Sequence, residues 1–103
     1  MTNPIAERTL LFSEKGETER KRLVIRVFAP RPIEAGSVAF QPDDKMSGCV
    51  VEFDGLPNFS LGEIYGADSL QALQLAVDIE PYLKRLSEKY DFFFPTGEGY
   101  FEG

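Results

Sequence analysis

The sequence predicts an α+β domain, with an antiparallel sheet of four to five strands and one C-terminal helix packed on one face of it. Three observations carry this. Between residues 5 and 54 several segments alternate apolar and polar side chains with the two-residue period of a strand. The breaks between them are short and rich in glycine and proline, so neighbouring strands pair as hairpins. From Asp68 the apolar period changes to three and four residues and holds to Tyr90. At 103 residues this is one domain, mainly strands over 1–66, a helix over 68–90 and an aromatic tail over 91–103.

Residues 5–14, IAERTLLFSE, read as the first strand, and Lys15-Gly16-Glu17-Thr18 as the turn that follows it. In 21–29, KRLVIRVFA, the residues Leu23, Ile25 and Val27 share one face, with Arg22, Val24 and Arg26 on the other. Pro30-Arg31-Pro32 ends this strand, because proline has no N–H to donate to a ladder. Residues 30–48 are irregular, with a short edge strand at 37–40, SVAF. CVVEFD at 49–54 then alternates cleanly, with Cys49, Val51 and Phe53 inward and Glu52 and Asp54 outward. After the turn at 55–58, the apolar phase of 59–65 slips, and a bulge at Gly62-Glu63 would return Ile64 to the inner face.

The helix shows one stripe, Ala72, Leu75, Ile79, Leu83, Leu86 and Tyr90. Pro81 lies inside it, deleting a hydrogen bond and crowding the preceding turn, which predicts a kink or break near Asp78–Pro81. The helix start is well specified. Asp68 is an N-cap whose carboxylate can accept from the N–H of Leu70 or Gln71, and Gln71 is placed to reach back to the backbone of Asp68. Gly66 lets the chain leave the strand and turn. The tail, DFFFPTGEGYFEG, holds five aromatics and is expected to pack back as an extended segment or added strand; the alternative is an exposed aromatic patch.

Gly66-Ala67-Asp68-Ser69-Leu70 also resembles the motif of acyl and peptidyl carrier proteins, which implies a phosphopantetheine arm on Ser69 and a small helical bundle around it. The helix dipole suits a phosphate there, but the preceding 65 residues alternate like strands and the cap accounts for every residue of the motif. A second resemblance is broader. The order IAERTLLF, RLVIRVFAPRP, GCVVEFDG and IYGADSLQALQLAVDI, over about residues 5–86, is similar to a family of small uncharacterised bacterial proteins whose helix start reads Gly-x-Asp-Ser-x-Gln-Ala-Leu. The matching positions are Gly66, Asp68, Ser69, Gln71, Ala72 and Leu73; the acid- and proline-containing segment 33–47 and the tail depart from it. The resemblance implies the same order of elements and carries over no catalytic residue.

Composition excludes several chemistries. With no histidine there is no Ser-His or Cys-His pair and no histidine-ligated metal within the chain. The single Cys49 forms neither an internal disulfide nor a cysteine-cluster metal site, and its phase with Val51 and Phe53 marks it as a buried thiol. No cofactor is expected. No apolar run approaches the ~20 residues of a bilayer span, and the N-terminus lacks the basic and apolar regions of a secretory signal, so a cytoplasmic location is expected. Segment 43–54 is a near miss to a calcium loop, with Asp43, Ser47, Gly48 and Asp54 at compatible offsets but Lys45 where an oxygen ligand belongs. Glu52, Asp54 and Glu63 are candidates for a carboxylate pair.

The net charge of −6 is unevenly spread. Residues 15–31 hold six cations against two acids, a local balance of +4, while 32–103 hold four against thirteen, a balance of −9. An acidic surface opposes nucleic-acid binding. The reading that fits is a small non-catalytic interaction module, immunity- or antitoxin-like, with Arg20, Lys21, Arg22 and Arg26 and the aromatics Phe92, Phe93, Phe94, Tyr100 and Phe101 as its candidate surface. The partner is another protein or a second copy in a homodimer. The alternative is a small-ligand binder or a histidine-independent enzyme using carboxylates.

Overall fold

Each expected hairpin forms. The computed structural model describes residues 3–33, 46–57 and 59–101. Strand β1 (Ala6–Glu14) pairs antiparallel with β2 (Lys21–Val27), with Leu10 opposite Leu23, through a turn in which Gly16 takes φ 84°. Strand β4 (Ser47–Asp54) pairs with β2 on one edge and with β5 (Gly62–Gly66) on the other, so that Cys49 faces Ile64 and Ile25 faces Phe53. The alternation read in CVVEFD is the burial pattern observed, with Cys49, Val51 and Phe53 buried and Glu52 and Asp54 exposed.

Among the described residues the sheet has six strands, against the four to five expected. One addition is β3 (Arg31–Pro32), which lies opposite Gly48 and Ser47 of β4. Proline therefore interrupts the strand without ending the pairing. Phe28 N still donates to Val50 O at 3.0 Å and Ile33 N to Met46 O at 3.1 Å, because the missing donors are those of the prolines alone. The short strand expected at 37–40, and Asp43 and Lys45 of the calcium-like segment, lie outside the described residues. Ser47 and Gly48 of that segment are residues of β4.

The helical region is two helices, α1 (Ser69–Val77) and α2 (Glu80–Leu86). The break falls at Asp78-Ile79, where it was expected, because Pro81 sits in the first turn of α2, where its missing N–H has no intrahelical acceptor to serve. Two details of the stripe differ. Leu75 is 47% exposed while Ala76 is fully buried beside Ala72, and Tyr90 belongs to a strand. The cause is close approach: α1 lies on β4 and β5, and Ala72 and Ala76 are the residues small enough for its inner face. Gly66 shows the same constraint. It is buried at the end of β5, and a Cβ there would stand 2.3 Å from Ala72 N, so glycine is required by contact with the helix backbone rather than by the turn alone.

The second added strand is β6 (Tyr90–Phe93), which pairs with β1 so that Phe12 faces Phe92. The order across the sheet is β5-β4-β2-β1-β6, with β3 continuing the line of β2, and the helices carry the chain from one edge to the other over one face. The tail folds back on β6: Gly97 N donates to Phe94 O and Tyr100 N to Phe92 O, both at 2.8 Å. The core lies between sheet and helices. Phe12, Leu10, Leu23, Ile25 and Leu83 are its largest fully buried side chains, each worth about 1.5–3 kcal/mol on removal from water.

Candidate functional site

The helices cover one face of the sheet. Among the described residues, the other face is built from the outward positions of β1, β2, β4, β5 and β6, and the register arranges them in rows. Glu7 lies opposite Arg26, which lies opposite Glu52; Thr9 lies opposite Val24, which lies opposite Asp54; Phe93 lies opposite Leu11, which lies opposite Arg22. Across these three rows one end is acidic and the other basic and aromatic, with the buried Val24 between them; Asp91, paired with Lys15, and Glu63, paired with Arg31, lie on the same face outside the rows.

At the acidic end the arginine is enclosed by carboxylates. Arg26 Nη1 lies 3.0 Å from Asp54 Oδ2 and 3.5 Å from Glu52 Oε1, and its Nε lies 3.5 Å from Glu7 Oε2. The hydrogen bond to Asp54, foremost among these contacts, holds the guanidinium above its ordinary pKa. The three acids outnumber the cation they surround and stay half-exposed or more, at 50–63% of their side-chain area. Of the three carboxylates singled out in the sequence, Glu52 and Asp54 meet on Arg26, and Glu63 is drawn elsewhere. Glu63 Oε1 accepts from Arg31 Nη2 at 3.0 Å, and Oε2 lies 2.9 Å from the same nitrogen as an ion pair without hydrogen-bond geometry. Gly48 makes this reach possible, since a Cβ there would stand 2.3 Å from Glu63 Oε2.

At the basic end Arg20 stacks on Phe93, with its guanidinium carbon 3.7 Å from the ring centroid, and Nη1 donates to Gly97 O at 3.4 Å. Lys21 and Arg22 are exposed. The aromatics of the tail divide. Phe92 is 4% exposed and belongs to the core, so it is removed from the candidate surface. Phe101 packs against the core from the outside, Phe94 is 39% exposed, and Tyr100 stands between them with ring centroids 5.0 Å from each. The tail is thus mainly a seal on the sheet edge. Its polar anchor is one that sequence reading does not reach: Arg8 Nη1 donates to Tyr100 Oη at 2.7 Å, and Tyr100 Oη donates to Glu80 Oε1 at 2.6 Å. Nothing in the spacing of these three residues signals their meeting.

The helix start is a closed hydrogen-bond set. Gln71 N donates to Asp68 Oδ1 at 2.8 Å, and Gln71 Oε1 accepts from Ala67 N at 2.6 Å, one residue before the expected Asp68. Ser69 is exposed beside this cap at the first position of α1. Cys49 is fully buried, with its thiol donating to Phe28 O at 2.9 Å; burial, and then the charge of Glu63, pushes its pKa up.

Two open clefts flank the sheet. The larger, about 680 Å³, is lined by Lys15, Lys84, Ser87, Tyr90, Asp91 and Phe101 among others. Within it Lys15 pairs with Asp91 at 2.6 Å, Ser87 Oγ donates to Lys84 O, and Lys84 sits in the last turn of α2, at the negative end of the helix dipole. The second, about 500 Å³, is a notch where β4 runs on past the start of β5, walled by Glu52, Asp54, Phe59 and Ser60. Among the described residues no group of three or more His, Cys, Asp or Glu side chains can hold a metal ion, and no helix is long and apolar enough to cross a membrane. Compared with protein-family models, with curated proteins and with solved structures, the chain gives no match.

Proposed function

We propose that this chain is a small non-catalytic protein-interaction module that receives its partner on the sheet face left bare by the helices. The observation that carries this is the division of that face into an acidic end, Glu7, Glu52 and Asp54 around Arg26, and a basic-aromatic end, Arg20 on Phe93 beside Arg22. Segregated charge of this kind selects and orients a partner through long-range attraction and punishes wrong registers. A catalytic or small-ligand site needs convergent polar groups in a concave pocket. Here the carboxylates around the sheet face are held by arginines, and in the larger cleft Lys15 and Asp91 are paired with each other. The finer reading is an immunity- or antitoxin-type protein of the cytoplasm that binds a basic partner. It rests on the small size, the net charge of −6 and the lack of histidine.

The test is a tagged pull-down from the source cell at moderate salt, run beside an Arg22→Glu variant. A stoichiometric partner held by the wild type and lost with the variant is the expected result. A partner retained equally by both, or captured by neither, removes this reading.

A further inference from the structure

The larger cleft lies along the outer edge of β6, and that edge is only partly paired. Backbone groups along β6 alternate in direction, as in any antiparallel ladder. Lys15 N donates to Lys89 O at 3.1 Å, so residues 89, 91 and 93 turn theirs toward β1, while Tyr90 and Phe92 turn theirs away. The tail meets this outer edge only from Phe92 onward. Tyr100 N donates to Phe92 O and Phe94 N to Glu98 O, both at 2.8 Å, around the bridge of Phe93 with Gly99. Among the described residues the N–H and C=O of Tyr90 have no strand partner, and the Phe92 N–H makes no bond to the tail. These groups border the cleft of about 680 Å³ that Tyr90, Phe92, Gly99 and Phe101 help to line. A strand edge with open donors and acceptors is a template for another strand.

Side chains around the cleft define the strand it takes. Its charged lining residues are Lys15, Lys84 and Asp91, one cation in excess on a chain of net charge −6. Lys15 is paired with Asp91 at 2.6 Å, whereas the exposed Lys84 has no ion pair among the described residues. A strand laid beside β6 sends alternate side chains to opposite faces. Those on the helix side meet Lys84 of α2, where a carboxylate is matched and an ammonium repelled. Tyr90 and Phe101 offer the neighbouring positions an apolar wall. We propose that an extended acidic segment of another protein adds to the open edge of β6, bonding through its backbone to Tyr90 and Phe92 and through a carboxylate to Lys84. The edge is short, so the contact is weak and salt-sensitive. It lies at the rim of the sheet, apart from the bare face, and neither surface depends on the other.

The test is amide NMR of the full chain, titrated with an acetylated, amidated pentapeptide of alternating glutamate and valine. Peptide up to about 5 mM covers a dissociation constant of about 1 mM. The expected result is saturable shifts centred on the amides of Tyr90 and Phe92, with slower hydrogen exchange at both. Methylating the backbone nitrogens of the peptide should weaken binding by about tenfold, since the ladder bonds are lost. Lysine in place of glutamate in the peptide, or Lys84→Glu in the protein, should weaken it by about threefold or more. Arg22→Glu, on the sheet face, should leave it unchanged, which separates this edge from the face proposed above. An absence of shifts throughout the titration overturns the inference, as do shifts centred on the sheet face or lost with Arg22→Glu. Binding indifferent to backbone methylation removes strand addition, and binding indifferent to peptide charge removes the acidic partner.

Discussion

The Arg8 guanidinium donates a 2.7 Å hydrogen bond to the Tyr100 hydroxyl, joining residues 92 positions apart. The same hydroxyl donates to Glu80 at 2.6 Å, so one tyrosine ties the tail to β1 and to the start of α2. The bond closes the sheet edge at which β6 stops pairing, since β6 reaches only as far as Leu11 on β1.

Replacing Tyr100 with Phe keeps the ring contacts to Phe94 and Phe101 and removes both hydrogen bonds. The expected cost is about 1 kcal/mol, the usual net worth of such bonds at a partly exposed site. Urea unfolding measures it, and amide exchange at Tyr100, whose N–H bonds to Phe92 O, should speed up. An unchanged midpoint with unchanged exchange would mean the tail is held by its rings alone.

The same residue carries a pH dependence. Burial, and then the hydrogen bond to Glu80, raises the Tyr100 pKa above the value of about 10 that it has in an unfolded chain. A raised folded pKa favours the protonated, neutral form in the native state. The stabilisation is therefore complete below pH of about 10 and is lost as pH rises through the folded pKa. Comparing wild type with Tyr100→Phe from neutral pH upward, the wild type should lose its advantage in the alkaline range. A constant difference would contradict this.

Two glycines separate steric from conformational demands. Gly66→Ala drives a Cβ to 2.3 Å from Ala72 N, between two backbones that cannot both yield, and should cost about 3 kcal/mol, at the upper end for overpacking. Gly62, at φ 78° with open space around its missing Cβ, should cost only the left-handed penalty of about 1–2 kcal/mol on substitution by alanine. Thermal unfolding of the two variants decides. The reverse ranking would mean that α1 can shift away from β5.

The helix start offers a local contrast. Asp68→Ala removes the side chain that accepts from Gln71 N and should cost about 1 kcal/mol. Ser69→Ala, at an exposed position outside the cap hydrogen bonds, should change stability by less than about 0.5 kcal/mol. Incubation with coenzyme A and a broad-specificity phosphopantetheinyl transferase should leave the intact mass unchanged. A mass gain on Ser69 would revive the carrier reading.

Cys49 should resist thiol reagents in the native protein. Its side chain is fully buried and its thiolate is disfavoured by burial and by Glu63. Labelling should be at least about a hundredfold slower than in urea, limited by opening of the sheet. Prompt native labelling would show that β4 and β5 part readily.

Much of the fold was legible because it is written in local periodicity. Alternation in KRLVIRV and CVVEFD fixed the inward faces of β2 and β4, and Pro81 announced the break between the helices. The differences at α1 have one source. Periodicity places Leu75 inside and passes over Ala76 because it ranks residues by hydrophobicity, whereas the distance between α1 and the sheet ranks them by size. Gly66 was read as a turn residue for the same reason. Phe92 was read with its neighbours as surface because a four-residue strand gives too few turns of the pattern to set a phase.

The sequence by itself determined the class, the hairpins, the helix cap and the chemistry that histidine and paired cysteines would have required, since each depends on residues near one another in the chain or on composition alone. Only the tertiary structure decided that Glu52 and Asp54 converge on Arg26 while Glu63 goes to Arg31, that Tyr100 joins Arg8 to Glu80, and that the helices cover one sheet face while Arg26 with its acids and Arg20 on Phe93 stand at opposite ends of the other. Those relationships depend on register between strands distant in sequence. Register is set by packing of the whole core at once, and no local window contains it.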